Sequence, residues 1–192
     1  MTRSADERAP VGEIAMAGFS RAGFLRGRVG APPAAARPPW ALDGEHRFTA
    51  ACDACGRCVD ACPAKIITTD RAGRPAMNFQ AGACDFCGAC ADACPTGALR
   101  RAEGAAPWHM VAVVGTACLS LRAVDCRICG EHCEPRAIRF RPLGGGRRLP
   151  DVDAALCTGC GGCVAPCPVT AIAIRPHGQE PKIQEMEKAA CG

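Results

Sequence analysis

Four blocks of closely spaced cysteines constrain what this sequence can fold into more than any other feature. Each block holds four cysteines, and the blocks begin at Cys52, Cys84, Cys118 and Cys157. One short unit that recurs along a chain indicates an internal repeat. Aromatic residues make up only 4% of the chain and tyrosine is absent, so a large apolar core is not expected. Small domains in this position usually depend on disulfides or metals.

A disulfide scaffold fits the cysteines less well than a metal centre does. The count of 17 cysteines is odd, and secreted scaffolds usually carry an even number. The N-terminus, residues 1–10, lacks the apolar region of a secretory signal. No stretch approaches the roughly 18 apolar residues of a membrane span. We therefore expect a soluble protein kept in a reducing compartment, with its cysteines on a shared metal centre.

The spacing within three blocks is typical of iron–sulfur ligation. Cys52–Pro63, Cys84–Pro95 and Cys157–Pro168 each read Cys-x2-Cys-x2-Cys-x3-Cys-Pro, which is the bacterial ferredoxin run. Glycines in these loops, which permit a tight curl around a cluster, are Gly56, Gly88, Gly159 and Gly161. Zinc is the main alternative, but zinc sites favour two Cys-x2-Cys pairs with a longer spacer between them. The pattern therefore favours [4Fe–4S] clusters over zinc.

The third block departs from this pattern. Its first cysteine is displaced, so the block reads Cys118-x7-Cys126-x2-Cys129-x3-Cys133 and its proline comes one place late. We expect Cys118 to reach the site through its longer and more polar loop, which would complete a four-thiolate set. A three-iron, labile or absent site is the alternative. His132 is a further candidate ligand, although a surface histidine is the preferred interpretation.

In the bacterial ferredoxin run, the fourth cysteine of one block ligates the cluster of its partner block. Applied here, this rule predicts four cysteine quartets for four clusters, although the sequence alone does not prove the crossing. In chain order of their first members, they are the first quartet, Cys52, Cys55 and Cys58 with Cys94; the second, Cys84, Cys87 and Cys90 with Cys62; the third, Cys118, Cys126 and Cys129 with Cys167; and the fourth, Cys157, Cys160 and Cys163 with Cys133. Cys191 lies outside every block, and we assign it no role.

Charge and the remaining motifs exclude other classes of function. The formal net charge is +4, but each cluster with its four thiolates carries about −2, which takes the loaded protein to about −4. The arginines therefore compensate buried anions, and a nucleic-acid partner is not expected. No Ser/His/Asp set or phosphate-binding loop is present, so we predict that the protein is not an enzyme with a catalytic residue of its own.

The expected fold is α+β: two tandem bacterial 2[4Fe–4S] ferredoxin-like modules, with short strands and small helices around the clusters. The predicted divisions are an N-terminal arm with a Pro-rich linker, two modules and a polar tail, at residues 1–46, 47–100, 109–176 and 177–192. Apolar and β-branched residues predict strands at 47–48, 66–69, 98–99, 110–114, 137–141 and 171–174. A helical turn is expected before the last cysteine of a block, as at 91–93, and a turn at 144–146.

Several segments together resemble one family of ferredoxin-type proteins. Ser20–Gly27 is similar to a twin-arginine export motif, but Ala22 stands at the second arginine position and no apolar segment follows, so we do not expect export by this signal. Across residues 18–176 the chain resembles the NapF family, accessory proteins of the periplasmic nitrate reductase system. The resemblance rests on Ser20–Gly27, Pro38–Leu42, Cys84–Cys90, Cys118 with Cys126–Cys129, and Ala137–Pro142.

This resemblance implies a cytoplasmic protein that binds the precursor of the nitrate reductase catalytic subunit NapA. It implies a role in maturing NapA before export, by inserting its [4Fe–4S] cluster. An electron-transfer ferredoxin that links a reductase, as redox donor, to an enzyme is the alternative. A redox-sensing scaffold is a weaker third hypothesis. The sequence does not indicate an oligomeric state.

Overall fold

Short strands and helices of one or two turns, joined by tight turns, build this structure. It is a computed structural model that describes residues 36–102 and 104–178, all within the unit formed by residues 35–192. The predictions for Ser20–Gly27 and for Cys191 lie outside the described residues. We call residues 36–102 the first half and residues 104–178 the second half.

The regular elements are few and brief. The helices are α1 (Glu45–Ala51), α2 (Arg57–Ala61), α3 (Ala89–Asp92) and α4 (Ile128–Glu131), with a 3₁₀ helix at Leu119–Arg122. The strands are β1 (Ile67–Thr69), β2 (Pro75–Met77), β3 (Met110–Val114), β4 (Ile138–Gly144), β5 (Arg147–Val152) and β6 (Ile172–Pro176). This mixed content is that of a small α+β protein.

Both halves follow one plan. Each has an antiparallel hairpin after its first cysteine block, β1 with β2 in the first half and β4 with β5 in the second. Each also pairs a segment near its start with a segment near its end. In the second half this pair is β3 with β6, and in the first it is reduced to a single bridge between Ala41 and Leu99. The chain therefore returns to its starting point within each half, which brings the two cysteine blocks of that half together.

The short helices carry the third cysteine of a block into the interior. Gly56 and Gly88 have φ of 77° and 82° at the start of α2 and α3, a left-handed conformation that glycine adopts without steric cost. Buried cysteines make up a large part of the core, each no more than 8% exposed: Cys58, Cys62, Cys90, Cys129 and Cys163. In the described residues no helix combines the length and the apolar character that a membrane crossing requires.

Two of the predicted strands differ in the structure. The predicted strand at Arg47–Phe48 is wrong, because these residues lie within α1, where Phe48 is 1% exposed at the centre of the helix. Burial of Phe48 in the core decides the conformation of this segment, and Glu45, Arg47 and the alanines that follow favour a helix. At 98–99 only the isolated bridge of Leu99 forms. Strands β2 and β5 have no counterpart among the predicted segments.

The longer loop of the third block folds against the β4–β5 hairpin. Its 3₁₀ helix buries Leu121 and Ser120, each 2% exposed. The Ser120 hydroxyl donates a hydrogen bond to the Arg148 carbonyl of β5 at 3.1 Å. We expected this loop to be more polar than its counterparts, but the Ser120 hydroxyl is satisfied internally, as buried polar groups usually are. The extra residues therefore form an ordered element that positions Cys118.

Arg37 ties the start of the described chain to the first half. Its guanidinium donates hydrogen bonds to Glu45 at 3.1 Å, Asp70 at 2.9 Å and the Pro75 carbonyl at 2.9 Å, and it lies 4.9 Å from the centroid of the Phe48 ring. The hydrogen bond from Arg37 lowers the pKa of Glu45. Residues 36–46, predicted as part of a linker, are therefore packed on the first half.

Replacing Arg37 by Ala is expected to lower the free energy of unfolding by about 1–2 kcal/mol, because three acceptors lose their donor at once. Thermal unfolding followed by circular dichroism without oxygen measures the change. Arg47→Ala is the matched control, since Arg47 is an exposed arginine of α1 and should change the free energy by less than about 0.5 kcal/mol. Equal effects of the two substitutions would contradict the role given to Arg37.

Candidate metal centres

Four separate cavities lie in the structure, and each is lined by four cysteines. All sixteen described cysteines are free thiols. The lining sets are Cys52, Cys55, Cys58 and Cys94; Cys62, Cys84, Cys87 and Cys90; Cys118, Cys126, Cys129 and Cys167; and Cys133, Cys157, Cys160 and Cys163. These are the same four sets that the crossed spacing rule gives. Each cavity therefore draws three cysteines from one block and one from the partner block of the same half.

The crossing follows from the position of the fourth cysteine after the helical turn. Cys62 caps the C-terminal end of α2, in an extended conformation with φ −72° and ψ 112°. This conformation directs Cys62 away from the loop of its own block. Cys62 instead lines the cavity of the second quartet, beside Pro63, Ile66 and Cys84. A Cys-Pro step favours this extended geometry, because proline disfavours a helical conformation in the residue before it.

The third cysteine of each block is buried, at 8% exposure or less. Burial raises the pKa of these four thiols, to about 11 for Cys58 and Cys129 and to about 12 for Cys90 and Cys163. A buried thiol stays protonated at neutral pH unless a positive centre compensates its charge. Bound iron would supply that charge, so loading of these sites would release protons.

Backbone amides point at several of the sulfurs. The amide nitrogens of Leu99 and Ala112 lie 3.4 Å from the sulfurs of Cys94 and Cys157, respectively. Those of Ala137 and Ala171 lie 3.2 Å from the sulfurs of Cys133 and Cys167. Desolvation raises the pKa of Cys94, but the Leu99 amide and the Thr96 hydroxyl more than offset it, so this pKa is lowered. Such hydrogen bonds favour the thiolate and tune the reduction potential of a bound cluster.

A left-handed residue follows the fourth cysteine of every block. The residue three places after the fourth cysteine has a positive φ throughout: Lys65 at 53°, Gly97 at 69°, Arg136 at 54° and Thr170 at 47°. In the third and fourth blocks this reversal brings the next amide, of Ala137 or Ala171, onto the sulfur of the fourth cysteine. A non-glycine residue held in this conformation is strained, and its recurrence at one position indicates that the repeated loop geometry imposes it.

Two aspartates that we did not identify from the sequence accept hydrogen bonds within the cysteine loops of the first half. The Asp53 carboxylate accepts a hydrogen bond from the Cys55 amide, and Asp85 accepts one from the Cys87 amide, both at 3.2 Å. Hydrogen bonds from these cysteines lower the pKa of both carboxyl groups. The repeated Cys-Asp-x-Cys pattern is the signal that identifies them, because aspartate commonly accepts the amide two residues on in a turn.

The third quartet is brought together despite its irregular spacing. Cys118 lies at the start of the 3₁₀ helix and lines one cavity with Cys126, Cys129 and Cys167, where Ile128 and Ile172 supply apolar walls. His132 is exposed and lines the fourth cavity instead. The geometry of the third site therefore offers four sulfurs and no histidine.

The donor sets fit a [4Fe–4S] cluster. In residues 36–102 and 104–178, no group of three or more His, Cys, Asp or Glu side chains is arranged to hold a single metal ion. The sulfurs surround a cavity instead, and in a cubane each cysteine binds a different iron. All-thiol donors, backbone amides directed at sulfur and apolar walls are the surroundings that such a cluster needs.

Comparisons with known proteins agree with this chemistry. The family model of the 4Fe–4S dicluster domain matches residues 51–98 and 122–171, one region in each half. The ferredoxin-type protein NapF of Escherichia coli strain K12 is 42% identical over 153 residues, which cover 80% of this chain and 92% of that protein. NapF of Haemophilus influenzae is 41% identical over 136 residues, which cover 71% of this chain and 76% of the relative.

A second group of relatives carries a different name. The methylamine utilization ferredoxin-type protein MauM of Paracoccus denitrificans is 38% identical over 188 residues, covering 89% of this chain and 84% of that protein. Both groups are named ferredoxin-type proteins. The identity to the NapF proteins is higher and extends over most of their length. This chain therefore belongs to the NapF family of ferredoxin-type iron–sulfur proteins.

Proposed function

We propose that the four quartets hold four [4Fe–4S] clusters, arranged as two tandem ferredoxin-like modules at residues 47–100 and 109–176. The observation that carries this proposal is that each cavity is lined by one complete crossed quartet. A bound [4Fe–4S] cluster supplies one-electron redox chemistry and is also a preassembled unit that another protein can receive. The protein itself supplies the thiolates, the amide hydrogen bonds and control of access.

We further propose that the protein is a cytoplasmic accessory factor for the maturation of NapA. In this role it binds the NapA precursor before export and donates a [4Fe–4S] cluster to it. Membership of the NapF family supports the proposal. The third site supports it as well, because its first ligand, Cys118, lies at the start of a separate element, the 3₁₀ helix, and not in a short Cys-x2-Cys loop as in the other three sites.

A transfer experiment tests this role. Protein loaded with ⁵⁷Fe clusters is incubated without oxygen with NapA precursor that lacks its cluster, and the two proteins are then separated. We expect ⁵⁷Fe on NapA with the Mössbauer signature of a [4Fe–4S] centre. Full retention of iron by the loaded protein would contradict the maturation role.

Matched variants show which site donates. Cys118→Ala removes the displaced first ligand of the third quartet, and Cys52→Ala removes the equivalent ligand of the first quartet. If the third site is the donor, Cys118→Ala abolishes transfer, whereas Cys52→Ala leaves most of it. The reverse result would assign donation to a regular site.

Electron transfer between a reductase and an enzyme is the second candidate function. It is favoured by the presence of relatives named for methylamine utilization as well as NapF, since an electron carrier serves more than one pathway readily. Rapid, reversible reduction by a physiological donor, with every cluster retained in the presence of NapA precursor, is the outcome that would support it.

A further inference from the structure

The cysteine loops of the two halves meet directly. The backbone amide of Cys84, in the second quartet, donates a hydrogen bond to the carbonyl of Cys160, in the fourth quartet, at 2.8 Å. Beside this bond, a methyl group built on Gly162 would lie 3.6 Å from the Ala83 methyl. We call this contact, formed by residues 83–86 and 158–162, the junction. It places the loops of two different cluster sites within one hydrogen bond of each other.

Aromatic side chains pack around the junction. The Phe79 ring lies so close to Gly161 that a methyl group at this glycine would overlap it. Trp108 contacts Phe79 and Phe86 edge-on, with ring centroids 6.0 and 5.7 Å apart. Its indole Nε1 donates a hydrogen bond to the Thr158 carbonyl at 2.8 Å. Packing and hydrogen bonding therefore fix this contact from both halves.

Within each half, crossed ligation already makes two sites neighbours. Cys62 and Cys94 each leave their own block to line the other cavity of the first half. Cys133 and Cys167 do the same in the second half. The first site is thus next to the second, and the third is next to the fourth. The junction supplies the missing connection, from the second site to the fourth.

We propose that the junction couples the second and fourth cluster sites, so that the four sites form one series in the order first, second, fourth, third. This inference rests on the proposed function, because it needs clusters in the quartets. Cys84 and Cys160 each have two roles in it, as a ligand and as a partner in the hydrogen bond that joins the halves. Phe79 and Trp108 are positioning residues that hold the two loops together.

The expected consequence is magnetic and electrostatic coupling between the second and fourth sites. Dithionite supplies the electrons that reduce clusters from the 2+ to the 1+ state. Each paramagnetic cluster then relaxes faster when a second one lies nearby. The second and fourth sites each have two neighbours in the series. Their clusters should therefore relax faster than those of the first and third sites, which lie at its ends. An added electron at one site also disfavours reduction of its neighbour.

Two glycines at the same position of their blocks provide a matched test. Gly161→Ala adds a methyl group against Phe79, whereas Gly56→Ala adds one where no atom lies within 4 Å. Both residues are left-handed, with φ of 82° and 77°, so the backbone strain is the same and only the collision differs. Trp108→Phe is a second variant. It removes the hydrogen bond to Thr158 without substituting a residue of a cysteine loop.

The readouts are hydrogen–deuterium exchange at the Cys84 amide and microwave power saturation of the EPR signal after reduction by dithionite. In Gly161→Ala and Trp108→Phe we expect the amide to exchange roughly fivefold faster, which corresponds to losing one hydrogen bond of about 1 kcal/mol. We also expect the EPR signal to saturate at lower power. Gly56→Ala should match the unmodified protein in the exchange of this amide.

Iron and sulfide analysis of the same samples separates the possible failures. Four clusters per chain, with exchange and saturation unchanged in both junction variants, would overturn the series and leave the proposed function standing. Unmodified protein without iron–sulfur clusters would overturn the proposed function and the series together. Four clusters with the expected changes in at least one junction variant would support the series.

Discussion

Removing the iron and sulfide is expected to unfold the described part of the chain. The helices are four to seven residues long, and isolated helices of this length are not stable in water. Every sheet has two strands, which is marginal without further packing. What holds these elements together is a core in which buried cysteines stand beside residues such as Ile66 and Leu149.

The cavities that hold the cysteine quartets also indicate why loss of the clusters should destabilise the fold. Without a cluster, each of the four cavities would be lined by four thiols and would lack the group that fills it, and a cavity in a core costs stability in proportion to its volume. We therefore expect metal binding and folding to be coupled, as in other small metal-dependent domains. Treatment with a chelator and an oxidant should abolish most of the circular dichroism at 222 nm and the dispersion of the amide NMR signals.

Reconstitution provides the control for this prediction. Iron and sulfide added under reducing conditions should restore both signals, whereas zinc alone should not, because a single ion cannot span a cavity lined by four separated sulfurs. A cluster-free protein that kept its dichroism and unfolded cooperatively at the original midpoint would contradict the coupling.

Replacing Cys62 by Ala is expected to remove the cluster of the second quartet and to leave that of the first. Cys62 belongs by sequence to the first block, yet it lines the cavity of Cys84, Cys87 and Cys90. Its loss leaves three thiolates where four are needed, and the iron content should fall by about four atoms per chain. Cys94→Ala should have the reciprocal effect on the first quartet.

Alkylation of the native protein identifies the emptied site. Cysteines that have lost their cluster react with iodoacetamide, and mass spectrometry assigns them. In Cys62→Ala we expect modification of Cys84, Cys87 and Cys90 with the first block protected. Modification of Cys52, Cys55 and Cys58 in that variant would show that ligation is not crossed. Cys191→Ala is the control, and it should leave the iron content unchanged.

The composition of the four cavities follows from the sequence because ligand spacing is a local property. In three blocks, three thiolates lie within seven residues and can curl around one cluster, and the Cys-Pro step carries the fourth away. The third block keeps the last three cysteine spacings of this pattern, so the pairing rule still names its set. The strands at 110–114 and 171–174 were also predictable, because their apolar β-branched runs are long enough to indicate a buried strand; they form β3 and β6.

Other features depend on contacts that no local pattern reports. Helix α1 replaces a predicted strand because burial of Phe48 decides the conformation of its segment. The buried Ser120 depends on a carbonyl of β5, a strand that carries Pro150 and therefore lacks a strong strand signal. The junction joins Cys84 to Cys160, and only the packing of the two halves brings them together.

Counting iron, zinc and acid-labile sulfide in protein purified without oxygen, together with EPR of the reduced sample, tests most directly that the quartets hold cubanes. We expect about sixteen iron and about sixteen sulfide per chain, with the signals of interacting [4Fe–4S] clusters. A colourless, fully folded protein that contained zinc and no labile sulfide would contradict the proposal.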